Sequence, residues 1–184
     1  ACGSPWTTVQ SVILPTLISP VPYTCNFEDT TQNATWTLSN GTQPNIWFIG
    51  APGANGGTGN GLYISNDNGT SWAYTGGTAN ASRVYSFVDI QVPVGVNELL
   101  LDFDWIAQGS SAVNEFLRVY LMPVNINVTA GNIPPTVNSI NYDLAAMIGR
   151  YTGGPGDHWL SVHNTWQHAQ FSINTIQYPN LAGN

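Results

Sequence analysis

Asp102 and Asp104, two positions apart in the run LLLDFDW, are the residues whose type and spacing come nearest to chemistry. On an extended chain they share a face about 7 Å apart, a spacing at which two carboxylates share a hard cation if loop carbonyls and Glu28 approach. The competing reading is an outward polar face paired with Arg118 on a neighbouring strand, a salt bridge worth little. A third acidic candidate, Asp67, sits in the oxygen-rich turn Ser65-Asn66-Asp67-Asn68-Gly69. That turn lacks the full run and distal Glu of an EF-hand, and a plain Asx turn is the favoured reading. His158, His163 and His168 recur every five residues, which matches neither helical nor strand spacing for a zinc pair.

Nucleophilic catalysis has little to draw on, because no Gly-x-Ser-x-Gly elbow and no Gly-rich loop ending in Lys is present. A glycosidase needs two carboxylates facing each other about 5–9 Å apart across a cleft. Asp102 with Asp104, or with Glu115, meets the distance, but neighbours on one strand flank a glycosidic bond poorly. The chain therefore reads as non-catalytic. Aromatic residues offer a binding alternative: Trp72, Tyr74, Trp159 and Trp166 lie near loops, where an exposed ring stacks on a sugar or a protein partner and a covered one packs under a loop.

Composition narrows the partners. The 184 residues hold ten carboxylates, three arginines and no lysine, for a net charge of −7, so a phosphate-binding surface has almost no cations. Nucleic acid is not an expected partner, and no run of about 20 apolar residues exists for membrane insertion. The apolar stretch from Ser11 to Ile18 is broken by Pro15 and lacks a basic flank, unlike a signal peptide. Cys2 and Cys25 are the only cysteines, and a disulfide between them is favoured over a metal site that would need more ligands, with two buried thiols as the alternative.

The elements that must hold these groups are strands. Leu99, Leu101, Phe103 and Trp105 alternate with Glu98, Asp102 and Asp104, and after the turn signal AQGSSAVN a second run places Leu117, Val119 and Leu121 on one side. The two runs are expected to form an antiparallel hairpin whose apolar face needs a second sheet. Shorter strands are expected at 35–38, 46–49 and 62–65. A long strand over 83–92 turns Val84, Ser86, Val88, Ile90 and Val92 inward. His158 to His163 and Gln170 to Thr175 alternate again, the latter burying Phe171 and Ile173. Only 139–151 shows helical spacing, through Ile140, Leu144, Met147 and Ile148. Many short strands with at most one short helix specify an all-β chain, a β-sandwich of jelly-roll type. Residues 1–21 read as a proline-punctuated lead-in or the tail of a preceding module, and 22–184 as one domain.

The ordered blocks PYTCNFED (22–29), NIWFIG (45–50), GLYISNDNG (61–69), VYSFVDIQVP (84–93), LLLDFDW (99–105) and FLRVYLMP (116–123) resemble the cleaved adhesin domain. That domain occurs in gingipain haemagglutinin regions and secreted Bacteroidetes surface proteins. The resemblance implies a concanavalin-like or galactose-binding-like jelly roll stabilised by calcium, with Glu28, Asp67, Asp102 and Asp104 as the ligand candidates. It also implies a secreted, extracellular or cell-surface adhesion or carbohydrate-binding module, whose partners are host or matrix glycans or proteins, or neighbouring copies. The family often continues into a further strand, so one strand is expected to be supplied by another chain or lost at a cleavage. The alternative reading is therefore a subunit of an extracellular fibre or surface assembly, its jelly roll completed by a neighbour's strand. Asp29-Thr30-Thr31 resembles the Bacteroidetes O-glycosylation signal, which makes Thr30 the expected glycosylation site. Five Asn-x-Ser/Thr triplets, at Asn33, Asn40, Asn68, Asn80 and Asn127, would be N-glycan acceptors only in a eukaryotic secretory path.

Overall fold

The computed structural model describes residues 18–52, 58–76, 82–108, 117–132, 146–147 and 163–177. The described chain is all-β with almost no helix, and its strands pair in several small sheets. In chain order the strands are β1 (Ser19–Pro20), β2 (Trp36–Ser39), β3 (Ile46–Gly50), β4 (Gly61–Ser65), β5 (Tyr85–Val88), β6 (Ile90–Gln91), β7 (Glu98–Ala107), β8 (Tyr120–Leu121), β9 (Ala146–Met147) and β10 (His163–Asn174). One four-residue helix, α1 (Thr30–Asn33), precedes β2, and a 3-10 turn, Thr175–Gln177, follows β10.

The longest ladder joins β7 to β10, antiparallel, from Asn174 opposite Glu98 to Gln167 opposite Trp105, with an irregularity between Gln167 and His163. Period-two alternation decides which side of it is core. Trp105, Ala169 and Ile173 are buried on one face, where Phe103, Ala107, Leu117, Val119 and Phe171 pack around the first two and Leu99, Leu101 and Leu121 around the third. The rings of Phe103 and Phe171 lie 6.1 Å apart between centroids. On the other face Leu100 is 65% exposed.

This pairing corrects the expected hairpin. The partner of β7 is β10, while β8 pairs with β9, Tyr120 opposite Met147 and Leu121 opposite Ala146. The apolar side chains of 117–121 still reach the same core, but by packing onto the face of β7, so hydrophobic alternation was satisfied by a different neighbour. The helix expected over 139–151 fails at its described residues, since Ala146–Met147 is strand. Its apolar spacing is weak local preference, overridden by the ladder that β8 offers.

Smaller ribbons carry the rest. The strand Tyr85–Val88 pairs antiparallel with β2, and β3 pairs antiparallel with β4 across the Gly-rich loop rather than with β2 across Asn40-Gly41. The strand expected over 83–92 is interrupted at Asp89, whose carbonyl accepts the Ser19 N–H at 2.9 Å as β1 comes in parallel to β6. Helix α1 was not expected, and Asp29 caps it by accepting the Thr31 N–H at 2.8 Å.

Two asparagines do the work of missing strand neighbours. Asn40 donates its amide to the Trp47 carbonyl at 3.0 Å and accepts the Trp47 N–H at 2.7 Å. Buried Asn45 does the same at Thr75, 3.1 Å to the carbonyl and 2.8 Å from the N–H, and its amide also reaches Ser82 Oγ at 3.1 Å. Each amide supplies one donor and one acceptor, which is what a single backbone residue requires. Because Asn45 faces a carbonyl, Asn45→Asp sets a carboxylate against it at neutral pH. Chemical denaturation is expected to show a loss of about 1–3 kcal/mol. In the core, Trp105→Ala is expected to lose about 3–5 kcal/mol, while Leu100→Ala on the opposite face stays within about 0.5 kcal/mol.

Candidate functional site

The outward face of β7 and β10 is where predicted residues meet. Its β7 side carries Glu98, Leu100, Asp102 and Asp104, all exposed, and its β10 side carries Trp166, His168, Gln170, Ser172 and Asn174, also exposed. Register places His168 opposite Asp104, Gln170 opposite Asp102, Ser172 opposite Leu100 and Asn174 opposite Glu98. His168 Nδ1 lies 2.9 Å from Asp104 Oδ1, and Ser172 donates its hydroxyl to Glu98. Among the described residues nothing hydrogen-bonds the Asp102 side chain.

The His168–Asp104 pair is open to water, with side chains 58% and 72% exposed, so it contributes little to stability. An Asp–His pair is also the base half of a nucleophile relay, but that role needs a hydroxyl or thiol at the second ring nitrogen. Among the described residues no serine, threonine or cysteine is hydrogen-bonded to His168. One of the two readings of the polar face set Asp102 and Asp104 against Arg118; the partner brought to Asp104 is His168, 64 residues away in the chain and joined to it by the strand register.

The aromatic candidates divide. Trp166 is 56% exposed beside the irregular stretch of the ladder near the end of β7. Tyr74 and Trp72 are half-buried, and the Tyr74 hydroxyl donates to the Gln108 carbonyl at 3.3 Å, so this loop is tied to the same end of β7. Trp159 lies outside the described residues, as do His158 and Cys2. Cys25 carries a free thiol, half-buried, its sulfur 4.0 Å from Asn33 Oδ1.

The four expected calcium ligands stand at three separate places. Glu28 accepts both the backbone N–H of Asn60 at 2.7 Å and its side-chain amide at 2.8 Å, anchoring the loop ahead of β4. Gly59 permits this closeness: φ is +115°, and a Cβ there would lie 2.5 Å from Glu28 Oε1. Asp67 is held within its own turn, accepting the Ser65 hydroxyl at 2.6 Å, the Ser71 hydroxyl at 2.6 Å and the Ser71 N–H at 3.0 Å. Asp102 and Asp104 are on β7. Among the described residues no three His, Cys, Asp or Glu side chains gather as a metal site, so the four calcium candidates do not come together in one group.

The turn of Asp67 is a closed polar unit. Ser65, whose side chain is fully buried, accepts the N–H groups of Asp67 and Gly69 at 3.3 and 3.0 Å while donating to Asp67. Gly69, at φ +83°, leaves room for the Phe48 ring, whose nearest carbon would stand 2.8 Å from a Cβ. Among the triplets, the Asn33 amide donates to the Phe27 carbonyl at 2.9 Å and Asn40 is bound to Trp47, so both serve the fold. Thr30, first residue of α1, is exposed.

No family model matches the chain, and neither a curated protein nor a solved structure matches it. Among the described residues no helix is long and apolar enough to cross a membrane.

Hydrogen bonds from Ser65 and Ser71 hold the Asp67 carboxyl at a pKa of about 2, below its ordinary 3.8. A carboxyl lowered by folding stabilises the fold above its unfolded pKa and loses that contribution as pH falls through the folded value. Asp67→Asn is therefore expected to melt below the wild type at pH 7. The gap in Tm should narrow from about pH 4 downward and close only below about pH 2, followed by thermal melts across that range.

Proposed function

We propose that the chain is a non-catalytic adhesion or carbohydrate-binding module of the secreted or cell-surface kind, built as a jelly-roll sandwich. Its binding surface is the outward face of β7 and β10. The observation that carries this reading is the exposed Trp166, in the irregular stretch of β10, next along the strand to a row of exposed hydrogen-bonding side chains, His168, Gln170 and Ser172 on its own strand and Asp104 and Asp102 on the neighbour. A sugar ring presents an apolar C–H face and a rim of hydroxyls. An indole takes the first, and carboxylate, amide and imidazole groups take the second.

Several features support binding over catalysis. Asp102 and Asp104 lie on one strand and one face, so they do not oppose each other across a bond. From Gln167 to Asn174 its side chains stand on a ladder whose positions are set by backbone pairing. The ordered blocks that resemble the cleaved adhesin domain point the same way. The fibre-subunit reading, with strand exchange between copies, has no observation in its favour beyond the short parallel pairing of β1 with β6.

An array of neutral and charged oligosaccharides is expected to yield binders whose affinity falls about tenfold in Trp166→Ala, a loss of one ring contact. The variant should remain folded, with a cooperative thermal transition, since Trp166 is 56% exposed. Binding that is indifferent to Trp166 would move the site elsewhere, and an array with no binder would remove the glycan reading.

A further inference from the structure

We propose that Asn68 is a site of self-modification, its side-chain amide lost to attack by the backbone nitrogen of Gly69 through a cyclic imide. The inference is independent of the binding reading. Three Asn-Gly pairs lie among the described residues, at Asn40, Asn60 and Asn68. A glycine has no Cβ to shield its nitrogen from the preceding side chain, so the three pairs share one intrinsic reactivity. The fold then tells them apart.

Asn40 is held at both ends of its amide, by the carbonyl and the N–H of Trp47 at 3.0 and 2.7 Å. Asn60 is held by its leaving group, since its amide nitrogen donates to Glu28 Oε2 at 2.8 Å, and Gly61 is fixed in β4 opposite Gly50. Asn68 is exposed, and its side chain has no hydrogen bond among the described residues. It is also the one of the three whose backbone lies in the left-handed region, at φ +61°, so rotation of the turn relieves an unfavourable conformation. Only the attacking nitrogen is restrained. The Gly69 N–H donates to the hydroxyl of buried Ser65 at 3.0 Å, and that bond must open first.

The chemistry needs only water. Solvent base takes the Gly69 N–H proton, the nitrogen bonds to Asn68 Cγ, the Cγ–Nδ2 bond breaks, and the amide nitrogen leaves as ammonia. Water then opens the imide at either carbonyl, giving an ordinary aspartyl link or an isoaspartyl link in which the chain runs through the side-chain carbon. Nothing is oxidised or reduced. Either product adds a negative charge next to Asp67, on a chain already at −7.

The test incubates the full chain at mildly alkaline pH and body temperature, digests it with pepsin in acid, and follows ammonia loss peptide by peptide by mass spectrometry. A guanidinium-unfolded sample gives the intrinsic rate of each pair. Relative to that reference, Asn68 is expected to react about tenfold faster than Asn40 or Asn60, because each hydrogen bond to be broken slows the reaction about two- to tenfold. Both aspartyl and isoaspartyl products, separated by electron-transfer fragmentation, should form. Ser65→Ala should speed Asn68 about two- to tenfold and leave Asn40 at its wild-type rate. Asn40 or Asn60 reacting as fast as Asn68 overturns the assignment, as does a folded chain intact at Asn68 after many half-times of the unfolded one. An aspartyl product alone overturns the imide route in favour of direct hydrolysis. Equal acceleration of Asn40 and Asn68 in Ser65→Ala overturns the part given to Ser65 in favour of general loosening, while the wild-type order of rates still decides the site.

Discussion

The antiparallel ladder of β7 and β10 is the constraint on which the described structure depends. Among the described residues it is the longest pairing, and the buried Trp105, Ala169 and Ile173 lie on it. A strand's period of two then forces every second residue to the other side. Once Trp105 and Ile173 are inward, Asp102, Asp104, His168 and Ser172 must be outward, and the register sets which of them face each other. A slip of one residue would exchange the two faces wholesale, bringing three carboxylates into the core, so the buried indole and the polar row fix each other.

Away from that ladder the ribbons are short, and few side chains are fully buried. Hydrophobic burial alone does not define their connections. Neutral amides and hydroxyls do: Asn40 on Trp47, Asn45 on Thr75 and Ser82, and Ser65 within its own turn. The composition of 7% charged residues with abundant Asn, Thr and Ser is the same fact seen in the sequence. A charged side chain could not both donate to a carbonyl and accept from the adjacent N–H, whereas an amide does so without the desolvation that a buried charge would incur.

Strand character was legible wherever alternation was clean. Leu99 to Trp105 and Leu62 to Ser65 lie where the pattern put them, with Trp105 buried and Asp102 and Asp104 exposed. Pairing was not legible, because alternation says which side is apolar and nothing about which strand lies beside it. The choice of β10 over 117–121 as the neighbour of β7, and the change of partner at Asp89, are properties of tertiary packing. The same limit explains the candidate site. Asp102, Asp104 and Trp166 were each visible as residues, while the contact of Asp104 with His168 spans 64 positions and has no local signal. Glu28 and Asp67 looked like ligands because acidic residues near glycine turns look alike. Their carboxylates are occupied by Asn60, Ser65 and Ser71, which are equally good oxygen-binding partners.

The separation of the two faces bears on how such a surface could acquire a ligand. Inward positions of β7 and β10 are held by packing, where a large-to-small change costs several kcal/mol, about 3–5 for a tryptophan. Outward positions are exposed, and their pairs, His168 with Asp104 and Ser172 with Glu98, are of the kind that contributes about 0–1 kcal/mol. Substitution there changes hydrogen-bonding pattern and charge while leaving the ladder intact. The same backbone can thus present different rows of side chains at nearly constant stability, which suits recognition better than catalysis. Recognition tolerates a shallow, solvent-exposed row, whereas proton transfer and nucleophilic attack require groups converging on one point and shielded from water.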